Sequence, residues 1–203
     1  MTADSSRPRQ AAIRRTTTET DIALELFLDG QGRREIASGV PFLDHMLTLF
    51  AVHGFFDLSL QAKGDVEIDD HHTVEDIGIC LGQALAKALG DKGGIERYAC
   101  VHLPMDEALA RVVVDLSNRP LLHWQVTPPD QKVGNFDTAL AKEFVRAFSQ
   151  HGGLTLHVDL LRGDNSHHIL EAIFKGLGRC LRQATRPLDG FGAGGVLSSK
   201  GSL

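Results

Sequence analysis

The chain has 203 residues, enough to bury a core as one domain or two small halves, and its 42% hydrophobic and 23% charged content is ordinary for a globular protein. A net charge of -5 argues against a nucleic-acid platform, and no apolar run is long enough to cross a bilayer. The polar start, Met1 to Gln10, is not a signal peptide, and the scattered Cys80, Cys100 and Cys180 make no disulfide framework, so a cytoplasmic protein with reduced thiols is expected.

Residues 1–10 read as a disordered tail. After a Thr- and Arg-rich extended stretch, Ile22, Leu24, Leu26 and Leu28 alternate with Ala23, Glu25 and Phe27 as a strand with one apolar face. Asp29 to Gly32 turns the chain into a short return strand, Arg33 to Ser38. Pro41 opens a helix that Gly54 is expected to end. A strand around Leu58 and Leu60 leads to a second helix, running to about Leu89 with the inward stripe Ile77, Leu81, Leu85 and Leu89.

Three strands follow, Cys100 to Leu103, Leu109 to Leu116 and Leu121 to Val126, with turns at Pro104 and at Asn118-Arg119-Pro120; they read as a seam. A helix from Asp137 to His151, a strand from Leu154 to Leu160 and a helix to about Ala184 then repeat the earlier order. His53-Gly54 matches His151-Gly152, Gly64-Asp65 matches Gly163-Asp164, and Gly82 matches Gly178, where both helices should press closely on a neighbour. Such self-similarity predicts an α+β fold made by internal duplication, with two helices on one face of a largely antiparallel sheet in each half. The halves are expected at 11–95 and 96–189, with a tail at 190–203.

The duplicated helices each begin with His-His-x-x-Glu, as His71-His72-Thr73-Val74-Glu75 and as His167-His168-Ile169-Leu170-Glu171. The first His and the Glu share one helix face, and the second His points roughly a hundred degrees away. Imidazole and carboxylate donors without thiolate suit a first-row divalent ion. One helix turn supplies two ligands where such an ion takes about four to six, so each centre must recruit from other elements. His45 and His151 are the natural recruits. His71 with Glu75 is read as one nucleus and His167 with Glu171 as the other, with His72 and His168 crossing over, which gives two metal sites per chain equivalent. His102, His123 and His157 stand alone in strands and read as structural or surface residues.

Taken together, Pro41 to Leu47, Asp70 to Asp76, Pro104 to Glu107, Asn118-Arg119-Pro120 and Asp164 through Lys175 resemble imidazoleglycerol-phosphate dehydratase, over about Ile13 to Ser199. The resemblance implies a lyase of histidine biosynthesis that uses two Mn2+ per subunit, built from duplicated halves like ribosomal protein S5 domain 2 or ferredoxin. It also implies a homo-oligomer of 24 subunits with metal sites between chains, acting on a small phosphate substrate. Glu19 is then the leading acid/base residue, with His53 and Glu171 beside it, and the ligand histidines His45, His71, His72 and His167 also face substrate. Arg97, Arg119, Lys175, Ser198, Ser199 and Lys200 match the family's anion-binding positions, so the tail is expected to order against phosphate.

The chemistry agrees with that substrate. The hydrogen to be lost is not acidic, so a simple base fails. Two divalent ions on the ring nitrogens would acidify the ring N–H, and the resulting metal-bound imidazolate could expel hydroxide to leave a diazafulvene-like intermediate with an acidic side-chain hydrogen. The same donors would also suit a dinuclear hydrolase.

Overall fold

The structure, a computed structural model, describes residues 8–188 and 195–203. Its first half runs β1 (Gln10–Thr16), β2 (Thr20–Phe27), β3 (Arg34–Ala37), α1 (Pro41–Gly54), β4 (Asp57–Gly64) and α2 (His71–Leu89). The second runs β5 (Tyr98–Met105), β6 (Ala108–Asp115), β7 (Leu121–Gln125), the small hairpin β8 (Lys132–Val133) and β9 (Phe136–Asp137), α3 (Ala139–Gly152), β10 (Thr155–Arg162) and α4 (Ser166–Ala184). The α+β duplication is thus present and extends beyond the helices. The strands that read as a seam are counterparts of β1, β2 and β3, and only the small hairpin has no equivalent.

Each half forms a four-stranded sheet, β1-β2-β4-β3 or β5-β6-β10-β7, antiparallel except at its last pair. β2 is the strand its alternation predicts, with Ile22, Leu24 and Leu26 buried and Asp21, Ala23 and Glu25 exposed. β3 is not the hairpin return strand expected. It pairs with β4 in parallel, at the far edge of the sheet. The reason lies in the loop before it: Asp57 accepts N–H bonds from Gln31 and Arg33 at 2.8 and 2.9 Å, and Leu58 N–H bonds Arg33 O. Those bonds carry the chain past β2 to the side of β4.

The helices of the two halves pack on each other between the sheets, α1 along α4 and α2 along α3. Both pairs are parallel and close at glycines. A Cβ on Gly178 would lie 2.4 Å from Phe50 O and 2.9 Å from Gly54 N, and one on Gly82 would lie 2.7 Å from Phe148 O and 2.8 Å from Gly152 N. Gly54 therefore does not end α1 through a left-handed conformation; Phe55, at φ 55°, takes that place. Gly54 is required for room, against Gly178 and the Phe56 ring. At the matching end of α3, Gly153 is the left-handed residue.

Two further expectations are corrected. Pro104 lies within β5, where an edge strand tolerates its missing N–H, and the turn is made by Asp106 at φ 48° with Glu107. The expected tail at 1–10 is shorter, because Gln10 begins β1 and Arg9 pairs with Asp29; residues 1–7 lie outside the described residues. Cys80 and Cys180 are fully buried in helices, and burial pushes their thiols up to about 11 and about 12, so they act as inert packing groups. Among the described residues, no helix is long and apolar enough to cross a membrane.

Since the helix contact leaves no space for a methyl group, Gly178→Ala should cost roughly 1–3 kcal/mol of stability by forcing α1 and α4 apart. Gly82→Ala should do the same at α2 and α3. Denaturant melts of both variants beside an exposed helical control, Gln150→Ala, would check this; midpoints equal to the control's would remove the close-approach argument.

Candidate active site

α4 starts at a capped terminus, where the Asn165 side chain accepts from the backbone N–H groups of His167 and His168. This fixes His167 and Glu171 on one face, and the parallel packing of α1 lays His45 against them. His45 Nε2 is 2.7 Å and His167 Nε2 3.2 Å from the same Glu171 oxygen. The three donors lie within 4.8 Å of one another. Lys175 Nζ donates to the other Glu171 oxygen at 2.6 Å. Burial alone would raise the Glu171 pKa, but bonds from Lys175, His45 and His167 outweigh it and bring it to about 2. Two imidazoles and an ionised carboxylate converging at one point form a donor set that fits a first-row divalent cation. Beside the cluster lies a cavity of about 450 Å³ walled by Phe42, His45, Asp70, Phe136 and His167.

The first doublet is arranged differently. His71 Nε2 and a Glu75 oxygen stand 3.8 Å apart, both half-exposed, and among the described residues no third such donor joins them. His151, expected as a recruit, sits exposed in the last turn of α3, at the end of the helix away from both doublets.

The second histidines point to separate carboxylates, as the hundred-degree offset requires. His72 Nδ1 is 3.0 Å from Asp65 and 3.8 Å from Glu19, and the Asp65 bond, against some loss of solvent, raises its pKa. His168 Nδ1 is 2.7 Å from Glu107, and its pKa is raised by that bond. Glu107, immediately before β6 as Glu19 is immediately before β2, is the counterpart of Glu19. The two are not equivalent. Glu107 holds His168 and accepts the Asn165 N–H at 3.1 Å; its pKa is drawn down to about 2, mainly by His168. In the first half Asp65 makes the closer contact with the histidine, and the Glu19 side chain stays 50% exposed. Sequence reading singled out neither Glu107 nor Asp65; the offset of Glu107 from the second doublet, matching that of Glu19 from the first only after the β strands are aligned, was the available signal.

The expected anion-binding residues assemble elsewhere. Arg97, Arg119, Ser198, Ser199 and Lys200 line one cavity of about 830 Å³. Arg97 pairs with Asp115 and donates to Leu197 O at 2.6 Å, which ties the tail down; residues 190–194 of that tail lie outside the described residues. Arg119 follows Asn118, whose left-handed backbone (φ 56°) is held by a 2.6 Å bond from Lys92 Nζ. Lys175 is not in this group. His53 lies two turns beyond His45 on α1, and burial, with the charges of Lys175 and Arg179, lowers its pKa.

A model of the family described as "Imidazoleglycerol-phosphate dehydratase" matches residues 38–181. The chain belongs to the imidazoleglycerol-phosphate dehydratase family. It is 65% identical to the imidazoleglycerol-phosphate dehydratase of Desulfotalea psychrophila, over 96% of each chain, and 60% identical to that of Syntrophobacter fumaroxidans, over 96% of this chain and 98% of the relative. The imidazoleglycerol-phosphate dehydratase of Staphylococcus aureus shares 44% identity and superposes with a TM-score of 0.80 over 88% of this chain and 99% of that one. The enzyme of Pyrococcus furiosus, solved with (S)-C348, shares 41% at a TM-score of 0.82 over 94% of this chain and all of that one.

Burial pulls the Lys92 pKa from 10.5 to about 8, against the attraction of Asp115 and with the repulsion of Arg97. Between those two values the unfolded chain still holds a proton that the folded chain has released, so this residue makes stability rise with pH across that window. The two thiols act in the opposite direction above pH 9, so the wild-type profile alone mixes the effects. Subtracting the profile of Lys92→Met isolates it: the difference should climb from about pH 8 to 10.5, and a flat difference would show that Lys92 is not held in a desolvated site.

Proposed function

We propose that the chain converts imidazole glycerol phosphate to imidazole acetol phosphate and water in the cytoplasmic synthesis of histidine, with manganese at the imidazole-carboxylate clamps. The observation that carries this reading is the convergence of His45, His167 and Glu171 beside a partly aromatic cavity, in a chain of this family. His45, His167 and Glu171 would hold one ion, and His71 with Glu75 the nucleus of a second. When bound, the ions polarise the substrate ring so that it can donate electrons toward the departing hydroxyl.

The chain's own residues supply the rest. Phe42 and Phe136 wall the cavity and keep water from the ring's flank. On this reading Glu19, half-exposed beside His72, takes the hydrogen from the carbon between the hydroxyl-bearing carbon and the phosphate arm. The hydroxyl leaves as water with the proton given up by the ring N–H, the hydrogen taken by Glu19 is returned to the carbon next to the ring, and the enol O–H proton goes back to the ring nitrogen, which leaves the ketone. Lys175 holds Glu171 ionised, which keeps that carboxylate a ligand and not a proton donor.

The distance between the two groups of residues supports a site completed between subunits. α4 has 19 residues, so its ends are roughly 27 Å apart. The doublet is at its first turn, whereas Arg97 N–H bonds Ala184 O at its last. A ring, a three-carbon chain and a phosphate are much shorter than that. On this reading Arg97 and Arg119 meet the phosphate of a substrate held at a neighbouring chain's clamps, in keeping with a homo-oligomer of 24 subunits, and the tail Ser198-Ser199-Lys200 would close on the phosphate there.

Glu19→Gln should keep wild-type metal content and sedimentation mass while losing turnover by about 100-fold or more. Unchanged turnover would remove Glu19 from the reaction. Arg119→Ala should separately raise KM steeply. Dissociating and reassembling the two inactive variants together should restore activity in roughly a quarter of the sites by random mixing, because each site would draw Glu19 and Arg119 from different chains. A mixture no better than its components would place both residues in one chain's site.

A further inference from the structure

The residue after the first doublet's glutamate is Asp76, only 7% exposed and gripped from two strands. One of its oxygens accepts from Thr20 Oγ1 at 2.5 Å, and the other pairs with Arg15 Nη2 at 2.9 Å. Arg15 lies on β1 and Thr20 opens β2, so the carboxylate clasps both arms of the β1–β2 turn. Glu19 sits within that turn. Within it, Thr17 Oγ1 accepts the N–H groups of Glu19 and Thr20 at 3.1 and 3.0 Å, and Thr17 N–H bonds Thr20 O at 2.8 Å. The turn is rigid in itself and is moored to α2 by a single buried side chain.

His72 and Asp76 are four residues apart and share a helix face. The run His71-His72-Thr73-Val74-Glu75-Asp76 thus carries two pairs, one facing the ion and one facing the Glu19 turn. The second half lacks the latter. Ala172 follows Glu171, and the Asp106-Glu107 turn is held instead by His168 and the Asn165 N–H. A carboxylate locked by its own hydrogen bonds has no need of a tether. Glu19, which must stay unshared to exchange a proton, has to be fixed through its backbone.

We propose that Asp76 is a positioning residue for proton transfer, holding the Glu19 turn at a set distance from the His71 and Glu75 ligands through Thr20 and Arg15. This rests on Glu19 being the acid/base group. Asp76 acts through the turn, its two oxygens being engaged by Thr20 and Arg15. Loosening its grip should displace Glu19 by a fraction of a helix turn, which is enough to cost about 10- to 100-fold in kcat.

The test uses the assembled, manganese-loaded chain. Asp76→Asn should lower kcat by about 10-fold or more with KM, metal content and sedimentation mass unchanged, and should speed amide exchange at Glu19 and Thr20 without changing it in α2. Thr20→Val, which keeps shape but loses the hydroxyl, should reproduce part of the loss, and Thr20→Ser should restore it. The Thr20 pair decides the question if Asp76→Asn does not assemble. Equal kcat in Thr20→Val and Thr20→Ser, or undisturbed exchange at Glu19 in Asp76→Asn, would overturn the tether. Full turnover in Glu19→Gln would instead overturn the role of Glu19, so the two failures are distinct.

Discussion

The backbones of α1 and α4 can touch only because Gly178 carries no side chain, and the imidazole-carboxylate cluster is set by that contact. Parallel helices in van der Waals contact keep a fixed register along their whole length. Gly178 seated on Phe50 and Gly54 at one end therefore leaves His45 beside Glu171 at the other. The cluster is assembled across the duplication, with one residue from the first half's α1 and two from the second half's α4. A half folded by itself would have the doublet and lack the recruit.

Duplication made two doublets and then let them diverge. Glu107 became a structural anchor, ion-paired to His168 and bonded to backbone, while its counterpart Glu19 kept a half-exposed carboxylate near a histidine whose closer partner is Asp65. Several donors hold the Glu107 carboxylate ionised and fixed, whereas Glu19 makes only the longer contact with His72. In the first half the longer β1–β2 turn is tied to α2 by the Asp76 clasp on Thr20 and Arg15.

Much of this was legible in residues. The periodicity of α2 and α4, the alternation in β2 and the repeated His-His-x-x-Glu all have short-range causes, and His45, His167 and Glu171 followed from donor chemistry. What escaped was long-range. β3 carries no mark of pairing with β4 in preference to β2, because that choice is made by Asp57, more than twenty residues away. Gly54 looked like a helix terminator because a glycine after a helix usually is one, and here the glycine answers to Gly178. Pro104 looked like a turn because only the sheet order reveals β5 as an edge. His151 matches a position in sequence, and helix register places it two turns or more from either doublet of its own chain.

That register also accounts for the unequal clamps. Phe50 and Phe148 meet equivalent glycines, as do Gly54 and Gly152, so the helices α1 and α3 align at a constant offset. The position on α3 that corresponds to His45 is Glu143, and its side chain is engaged by Arg146 at 2.6 Å. The first doublet thus meets an ion-paired carboxylate where the second meets an imidazole. Among the described residues, His71 and Glu75 stand without an imidazole partner from α3, with fewer donors than a first-row metal takes. Arg97 and Arg119, which line the cavity at the tail, lie at the opposite end of α4 from the second doublet, so within one chain the imidazole-carboxylate cluster and these cations are too far apart to meet on one small molecule.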